Sequence, residues 1–176
     1  MPKVRKQGVT KLLGFSLVEV LVVVMVILII AAIAIPSLVH AKMRANEASA
    51  VASLKTIQVA EVMYANNYPD VGFSGSLPNL GAHGSTCEKP TSTNACIIMD
   101  DALTTGLKSG YIFELTNDGR RPAQGYTINA TPESSATGRC SISSNERGSL
   151  HFSVMSASGE GGERSVSAGS GGGCDL

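Results

Sequence analysis

One carboxylate lies at the edge of the most apolar stretch of this sequence. Glu19 follows Leu17 and Val18, and no side chain from Val20 to Ile35 is polar. An ionised carboxylate in a membrane-spanning helix costs roughly 2.5–3.5 kcal/mol at the bilayer centre and less near an end, so such a residue is a functional candidate by default. The chemistry that would stabilise Glu19 is an ion pair with a nearby amine.

A cut between Gly14 and Phe15 would create such an amine four residues before Glu19. A small residue before the bond and a bulky one after it suit a protease that recognises this junction. The amine and the carboxylate could then interact within one helix or between neighbouring subunits. Between subunits in an apolar setting, the pairing would fix the axial register, because the alternative is an unpaired buried charge.

The four cysteines form a second group of reactive side chains. Cys87, Cys96, Cys140 and Cys174 all follow the apolar segment, and an even count suggests disulfides if that segment carries the rest of the chain across a membrane. Four cysteines allow three connectivities. We favour the sequence-near pairing of Cys87 with Cys96, which closes a short loop, and of Cys140 with Cys174. A metal site is disfavoured because no CxxC pair occurs and the histidines are scattered.

Other polar residues do not form a recognisable catalytic arrangement. The sequence contains no Ser-His-Asp arrangement, phosphate-binding loop or HExxH motif. We expect surface positions for His40, His83 and His151, and an exposed helix or loop start for the pair Asp100-Asp101. The sequence therefore predicts neither an enzyme nor a cofactor-binding protein. A low charged fraction and a net charge of zero also argue against nucleic acid as a partner.

The apolar stretch, about 20 residues with its flanks, matches one helical bilayer crossing. Four basic residues precede Phe15 and no acid does, which leaves ten basic against fourteen acidic residues, a formal charge of −4, in the remainder. This asymmetry keeps the N-terminus cytoplasmic and places the bulk outside. A plain single-pass anchor, or a secretory signal cleaved near Ala32-Ile33-Ala34, would also fit, but both leave Glu19 unexplained.

The run from Lys11 to Glu19, KLLGFSLVE, followed by the apolar residues and Pro36, resembles the class III signal of type IV pilins and pseudopilins. The resemblance covers residues 11–36 and implies cleavage after Gly14 by a membrane prepilin peptidase, N-methylation of Phe15, and pairing of Glu19 with that amine on an adjacent subunit during assembly. Many relatives also carry a glycine inside the apolar segment. It is absent here, so any loosening of the helix would fall on a kink at Pro36.

The resemblance also implies partners and a location. Such a protein waits in the bacterial inner membrane with its head in the periplasm, and a platform with an ATPase then assembles it into an extracellular homopolymeric filament. A type II secretion pseudopilin and a minor pilin are the alternatives within the family. A membrane-anchored periplasmic binding domain is the alternative from another class. Motility, adhesion and secretion are all compatible roles of the fibre.

The elements that position these residues predict an α+β fold, in which a long N-terminal helix packs against a small antiparallel sheet. Helical periodicity continues beyond Pro36 and places Ala50, Leu54, Ile57, Tyr64 and Tyr68 on one face, with Val51 and Val62 at its margin and Glu61 interrupting it. We expect a leader at 1–14, a transmembrane or filament-core helix at 15–36, an amphipathic half at 37–66, a loop-rich region at 67–109, the sheet at 110–156 and a flexible Gly/Ser-rich tail at 157–176.

Local patterns give finer predictions within the head. Strands are expected at 110–115, 125–131, 139–143 and 150–154, because short β-prone runs there are separated by turn residues. Residues 97–107 could form a short helix, since their apolar positions have helical spacing.

Overall fold

The computed structural model describes residues 16–82, 87, 89–154 and the backbone of 166–167. These residues form an α+β fold, with a long helix at the N-terminal end followed by an antiparallel open sheet. The three helices are α1 (Leu17–Asn67), α2 (Leu77–Leu80) and α3 (Asp101–Thr104). The strands are β1 (Leu107–Lys108), β2 (Tyr111–Asn117), β3 (Tyr126–Pro132), β4 (Cys140–Asn145), β5 (Leu150–Val154) and β6 (Val166–Ser167).

The chain divides into two compact units, Met1–Leu38 and Val39–Leu176. The described part of the first unit consists of the N-terminal part of α1 and the residue that precedes it. The second unit, called the head below, contains the rest of α1 and all other elements. Pro36 lies inside α1, whose helical assignment continues through it. A kink at Pro36 stays a prediction.

The part of α1 within the head is amphipathic, as its sequence pattern predicts. A line of buried residues repeats at alternating intervals of four and three, which is one face of a helix: Met43, Glu47, Ala50, Leu54, Ile57, Glu61 and Tyr64. Val62, predicted at the margin of this face, is exposed. The helix ends at Asn67 because Pro69 disfavours helical geometry at Tyr68.

The sheet is a meander in which every strand pairs antiparallel with its sequence neighbour, in the order β1-β2-β3-β4-β5-β6. Side chains alternate along β2, so that Tyr111, Phe113 and Leu115 are buried and the residues between them are exposed. The buried faces of β2, β3 and β4 contribute to one hydrophobic core with α1. The four predicted strands are confirmed: three have boundaries shifted by one or two residues, and β5 has the predicted bounds.

Polar contacts join α1 to the sheet around this core. The Asn46 side chain donates a hydrogen bond to the carbonyl of Thr137 over 2.9 Å. The carboxylate of Glu47 accepts one from the backbone N–H of Arg139 over 3.0 Å. Further along the helix, Gln58 donates to the hydroxyl of Ser144. These hydrogen bonds connect α1 to the segment that precedes β4 and to β4 itself.

The short helix predicted at 97–107 is largely wrong, because only Asp101–Thr104 is helical. Asp100 caps α3 by accepting hydrogen bonds from the N–H groups of Ala102 and Leu103. After α3 the chain passes Gly106, whose φ is +85°. It then forms the two-residue strand β1, where the sequence predicts loop. Ser109 and Gly110, both with positive φ, form the tight turn from β1 into β2.

A disulfide joins Cys87 to Cys96, the sequence-near pairing, with 5.9 Å between the Cα atoms. Replacing both residues by serine is expected to lower the free energy of unfolding of the head by about 2–3 kcal/mol, because the loop is short and its closure removes limited entropy from the unfolded chain. Chemical denaturation of the full chain in detergent micelles, followed by tyrosine fluorescence, measures this loss. All four tyrosines lie in the head and tryptophan is absent, so the signal reports the head alone. An unchanged transition would contradict the prediction.

The C-terminal region departs from the expectation of a purely flexible tail. Val166 and Ser167 form β6, which pairs with Phe152 and His151 of β5. Cys140 at the start of β4 is disulfide-bonded. The predicted pairing with Cys174 and the remaining tail residues lie outside the described residues.

Candidate functional site

The N-terminal part of α1 exposes apolar side chains on all sides. Its large aliphatic residues from Leu17 to Leu38 are between 48% and 79% exposed, with Val24 lowest and Leu17 highest. The cause lies in the sequence, since no polar residue defines a solvent face between Val20 and Ile35. A helix that is apolar all round is stable only when it is covered by lipid or by other protein. This surface of α1, residues 17–38, is the candidate interaction surface.

The helix that carries this surface is long and apolar enough to cross a membrane, and it lies near the N-terminus. Single apolar residues on a protein surface are ordinary, but a continuous patch of this size marks a membrane or protein contact. Removing apolar area from water contributes roughly 25 cal/mol per Å². Covering the surface is therefore strongly favourable, whichever of the two partners covers it.

Glu19 is the one ionisable residue within this surface, and it lies in the first turn of α1. The backbone N–H groups of Glu19 and Val20 donate to the carbonyl of Ser16, over 3.0 and 3.3 Å. An acid near a helix N-terminus is favoured by the helix dipole, by about 0.3–1 kcal/mol at an exposed position. Among the described residues no cation pairs with the Glu19 carboxylate. The carboxylate is therefore available to a partner outside the described chain.

The residues predicted to supply that partner, Gly14 and Phe15, lie outside the described residues. The distance from Glu19 to an amine at Phe15 thus stays a prediction. Pro36 lies near the C-terminal end of the interaction surface. The cysteines belong to the head, where Cys87 and Cys96 fix a loop.

The described polar residues of the head form no shared site, and Asp100 has a structural role. Asp100 caps α3. The pKa of its carboxyl is lowered, and the largest cause is its 2.7 Å contact with the ammonium group of Lys108. His40 and His151 are both exposed, and His83 lies outside the described residues. His40 lies 3.5 Å from the guanidinium of Arg139. Within the described part of the chain, no group of three His, Cys, Asp or Glu residues could hold a metal ion.

An open groove of about 360 Å³ lies on the head beside α1. Its walls come from one side of the helix and from the segment before α3: Lys55, Thr56, Val59, Ala60, Met63, Ile97 and Ile98. Lys55 is the one titratable residue among them, and the other side chains that line the groove are apolar or carry a single hydroxyl. The groove therefore lacks the convergent polar groups that a catalytic site needs.

The comparisons with known proteins give no relative: no family model matches the chain, and neither a curated protein nor a solved structure matches it.

Two buried carboxyl groups were not recognised as a pair from the sequence. Glu47 and Glu61 lie fourteen residues apart, so four turns of α1 bring them to the same face. Each accepts a hydrogen bond from the backbone of another segment, Glu47 from Arg139 and Glu61 from Ser74. The available signal was the spacing, with each acid at a core position of the helical repeat. Their backbone partners lie outside that repeat and could not be deduced from it.

Proposed function

We propose that this chain is a structural subunit of a type IV pilus, made as a prepilin and assembled through its N-terminal helix. The observation that carries the proposal is the exposed apolar surface of α1 at 17–38, with Glu19 as its one ionisable residue. A helix of this kind needs a membrane before assembly and neighbouring copies of itself afterwards. The combination of such a helix with a small antiparallel sheet is compatible with a pilin-like architecture.

The proposed sequence of events assigns a role to each part of the chain. The basic leader at 1–14 holds the N-terminus on the cytoplasmic side, and the apolar helix holds the head in the periplasm. A prepilin peptidase cleaves after Gly14 and methylates the amine of Phe15. An assembly platform driven by an ATPase then moves the helix from lipid into a bundle of copies. There the amine of one subunit pairs with Glu19 of its neighbour.

The helical bundle and the ion pair contribute different properties to the filament. Apolar packing supplies most of the favourable free energy but leaves the axial position loosely defined, because aliphatic side chains slide past one another at little cost. An ion pair in an apolar surrounding is directional, and breaking it by removing one partner costs about 3–5 kcal/mol. Glu19 therefore selects the register, and the aliphatic residues around it hold the subunits together. The chain itself performs no catalysis in this proposal.

Mass spectrometry of the mature protein tests the first step. We expect an N-terminus at methylated Phe15 in protein extracted from membranes or filaments. A Gly14→Leu variant is the control, and it should retain the leader because a bulky residue then precedes the scissile bond. A mature protein that starts at Ile35 would indicate ordinary signal cleavage and would overturn the proposal.

A further inference from the structure

Glu61 is a carboxylic acid enclosed in the core of the head. Its side chain is fully buried, at 0% exposure. One carboxyl oxygen, Oε2, accepts a hydrogen bond of 2.8 Å from the backbone N–H of Ser74. The other oxygen, Oε1, is buried and has no hydrogen-bond partner among the described residues. Ser74 is itself buried, at 1% exposure.

The groups around Glu61 do not compensate a negative charge. No cation forms an ion pair with it within the described part of the chain. The titratable groups near it are Tyr64 from α1 and Tyr126 from β3. Besides burial, the charge of Glu61 raises the pKa of both phenols, and Glu146 also raises the pKa of Tyr126. The bonded segment contributes only the N–H of Ser74, because residues 71–76 contain no titratable side chain. Burial is the main cause that raises the pKa of Tyr64, and it raises that of Tyr126 to about 12, so both phenols stay neutral over the physiological range.

Segment 71–76, which Glu61 contacts, is connected to the rest of the head by a few hydrogen bonds. Phe73 donates to the carbonyl of Ala123 over 3.2 Å, and Ala123 donates to that of Val71 over 2.8 Å. The Asn117 side chain donates to the carbonyl of Phe73 over 3.2 Å. Glu61 joins this segment to α1, since it receives the N–H of the next residue, Ser74.

We propose that Glu61 is a protonation-dependent latch that holds segment 71–76 against α1 while its carboxyl is neutral and weakens that attachment once it ionises. Neutral Glu61 brings no charge into the dry site, so its unpaired Oε1 costs far less than an unpaired charge would. Ionised Glu61 would leave a charge with a single hydrogen bond and no cation, which is costly in a buried environment. The bond from Ser74 is stronger to the carboxylate, but it offsets only part of the larger cost of keeping that charge away from water. The ionised side chain therefore moves towards water, and the bond to Ser74 is lost. This device is independent of the proposed function, because it lies wholly within the head.

The direction of the pH dependence follows from the environment of Glu61. Burial, opposed by the hydrogen bond from Ser74, raises its pKa from 4.5 to about 7. A raised pKa means that the folded head binds the proton more tightly than the unfolded chain does. The stabilisation is complete below pH 4.5 and is lost as the pH rises through 7. The unfolding or opening equilibrium constant increases by about 300-fold in total, which is ten raised to the power of the pKa difference, and by about 80-fold between pH 4.5 and pH 7.

Amide hydrogen exchange of the full chain in detergent micelles tests the latch. Exchange of segment 71–76, corrected for the intrinsic pH dependence of exchange, should accelerate by about 70-fold between pH 5 and pH 8. Glu61→Gln keeps the shape and an acceptor for Ser74 but cannot ionise, so its corrected exchange should be flat across this range. Glu47→Gln is the matched control. It removes the other buried glutamate of the same helix face and should keep the acceleration at 71–76.

A direct titration keeps the proposal falsifiable if Glu61→Gln fails to fold. The carboxyl carbon of Glu61 in the wild-type chain, followed by ¹³C NMR, should titrate near pH 7. Titration near pH 4.5, or identical corrected exchange in the wild type and Glu61→Gln, would overturn the latch.

Discussion

Glu19→Gln is expected to leave the protein in the membrane while reducing filaments on the cell by at least about tenfold. Glutamine preserves the size of the side chain and keeps the helix apolar, so insertion is not impaired. It removes the charge that would pair with the amine of Phe15 on a neighbouring subunit. Removing one partner of a buried ion pair costs about 3–5 kcal/mol per contact. A tenfold change in an equilibrium needs only about 1.4 kcal/mol, so the expected loss of filaments is at least tenfold. Electron microscopy and immunoblotting of sheared fractions measure filament number and membrane-retained protein.

Lys42→Gln is the matched control for Glu19→Gln. It changes one charge on an exposed position of the same helix, outside the apolar surface, and should leave filament number close to wild type. Tyrosine fluorescence of both variants should match the wild type, because all four tyrosines lie in the head. Filaments in normal number from Glu19→Gln would remove the register role of this residue.

The helix and the sheet were predictable because their burial patterns are local. Apolar and polar residues alternate along Tyr111–Asn117, and this alternation predicts which side chains face the core. The structure buries Tyr111, Phe113 and Leu115, as the pattern predicts. The long apolar run has the same property, since a segment without polar residues cannot have a solvent face. Both patterns are set by neighbours within a few residues, so one sequence suffices to read them.

The short elements of the head were less predictable because other parts of the chain decide them. The apolar spacing at 97–107 suggested a helix, yet Ile98 forms a bridge with Gly81, and the backbone N–H groups of Ile97 and Ile98 both donate to the carbonyl of Leu80. Backbone pairing with a distant segment outweighed local helical preference there. β6 is a second case, because two residues in a Gly/Ser-rich region gain order from an existing edge strand.

Glu19 and Glu61 also differ in how far the sequence alone predicts their surroundings. Glu19 could be selected from the sequence as a candidate residue, because a charge beside an apolar run is anomalous wherever the chain folds. Glu61 gave a weaker signal, an acid that interrupts a core face. Its hydrogen bond to Ser74 depends on a loop that returns to the helix after Pro69. A single acid on an apolar face is therefore a reason to search for a backbone donor, although the sequence does not say which one it is.

The close approach of Gly72 to Ala123 supports the largest stability prediction for the head. Gly72 has a φ of +80° and forms a parallel bridge with Ala123. A Cβ atom at this position would overlap the backbone carbonyl and nitrogen of Ala123. Gly72→Ala thus combines an unfavourable left-handed conformation, which costs about 1–2 kcal/mol, with a clash that requires the backbone at Gly72 or at Ala123 to shift. We expect the free energy of unfolding of the head to fall by about 3–5 kcal/mol.

Gly119→Ala separates the two causes. Gly119 has a similar φ of +71°, but a Cβ atom there meets nothing within 4 Å. This variant should therefore lose only the conformational part, about 1–2 kcal/mol. Denaturation of both variants in detergent micelles, followed by tyrosine fluorescence, gives the comparison. Equal losses would mean that the backbone at Gly72 and Ala123 accommodates the added methyl group without cost, which would contradict the prediction.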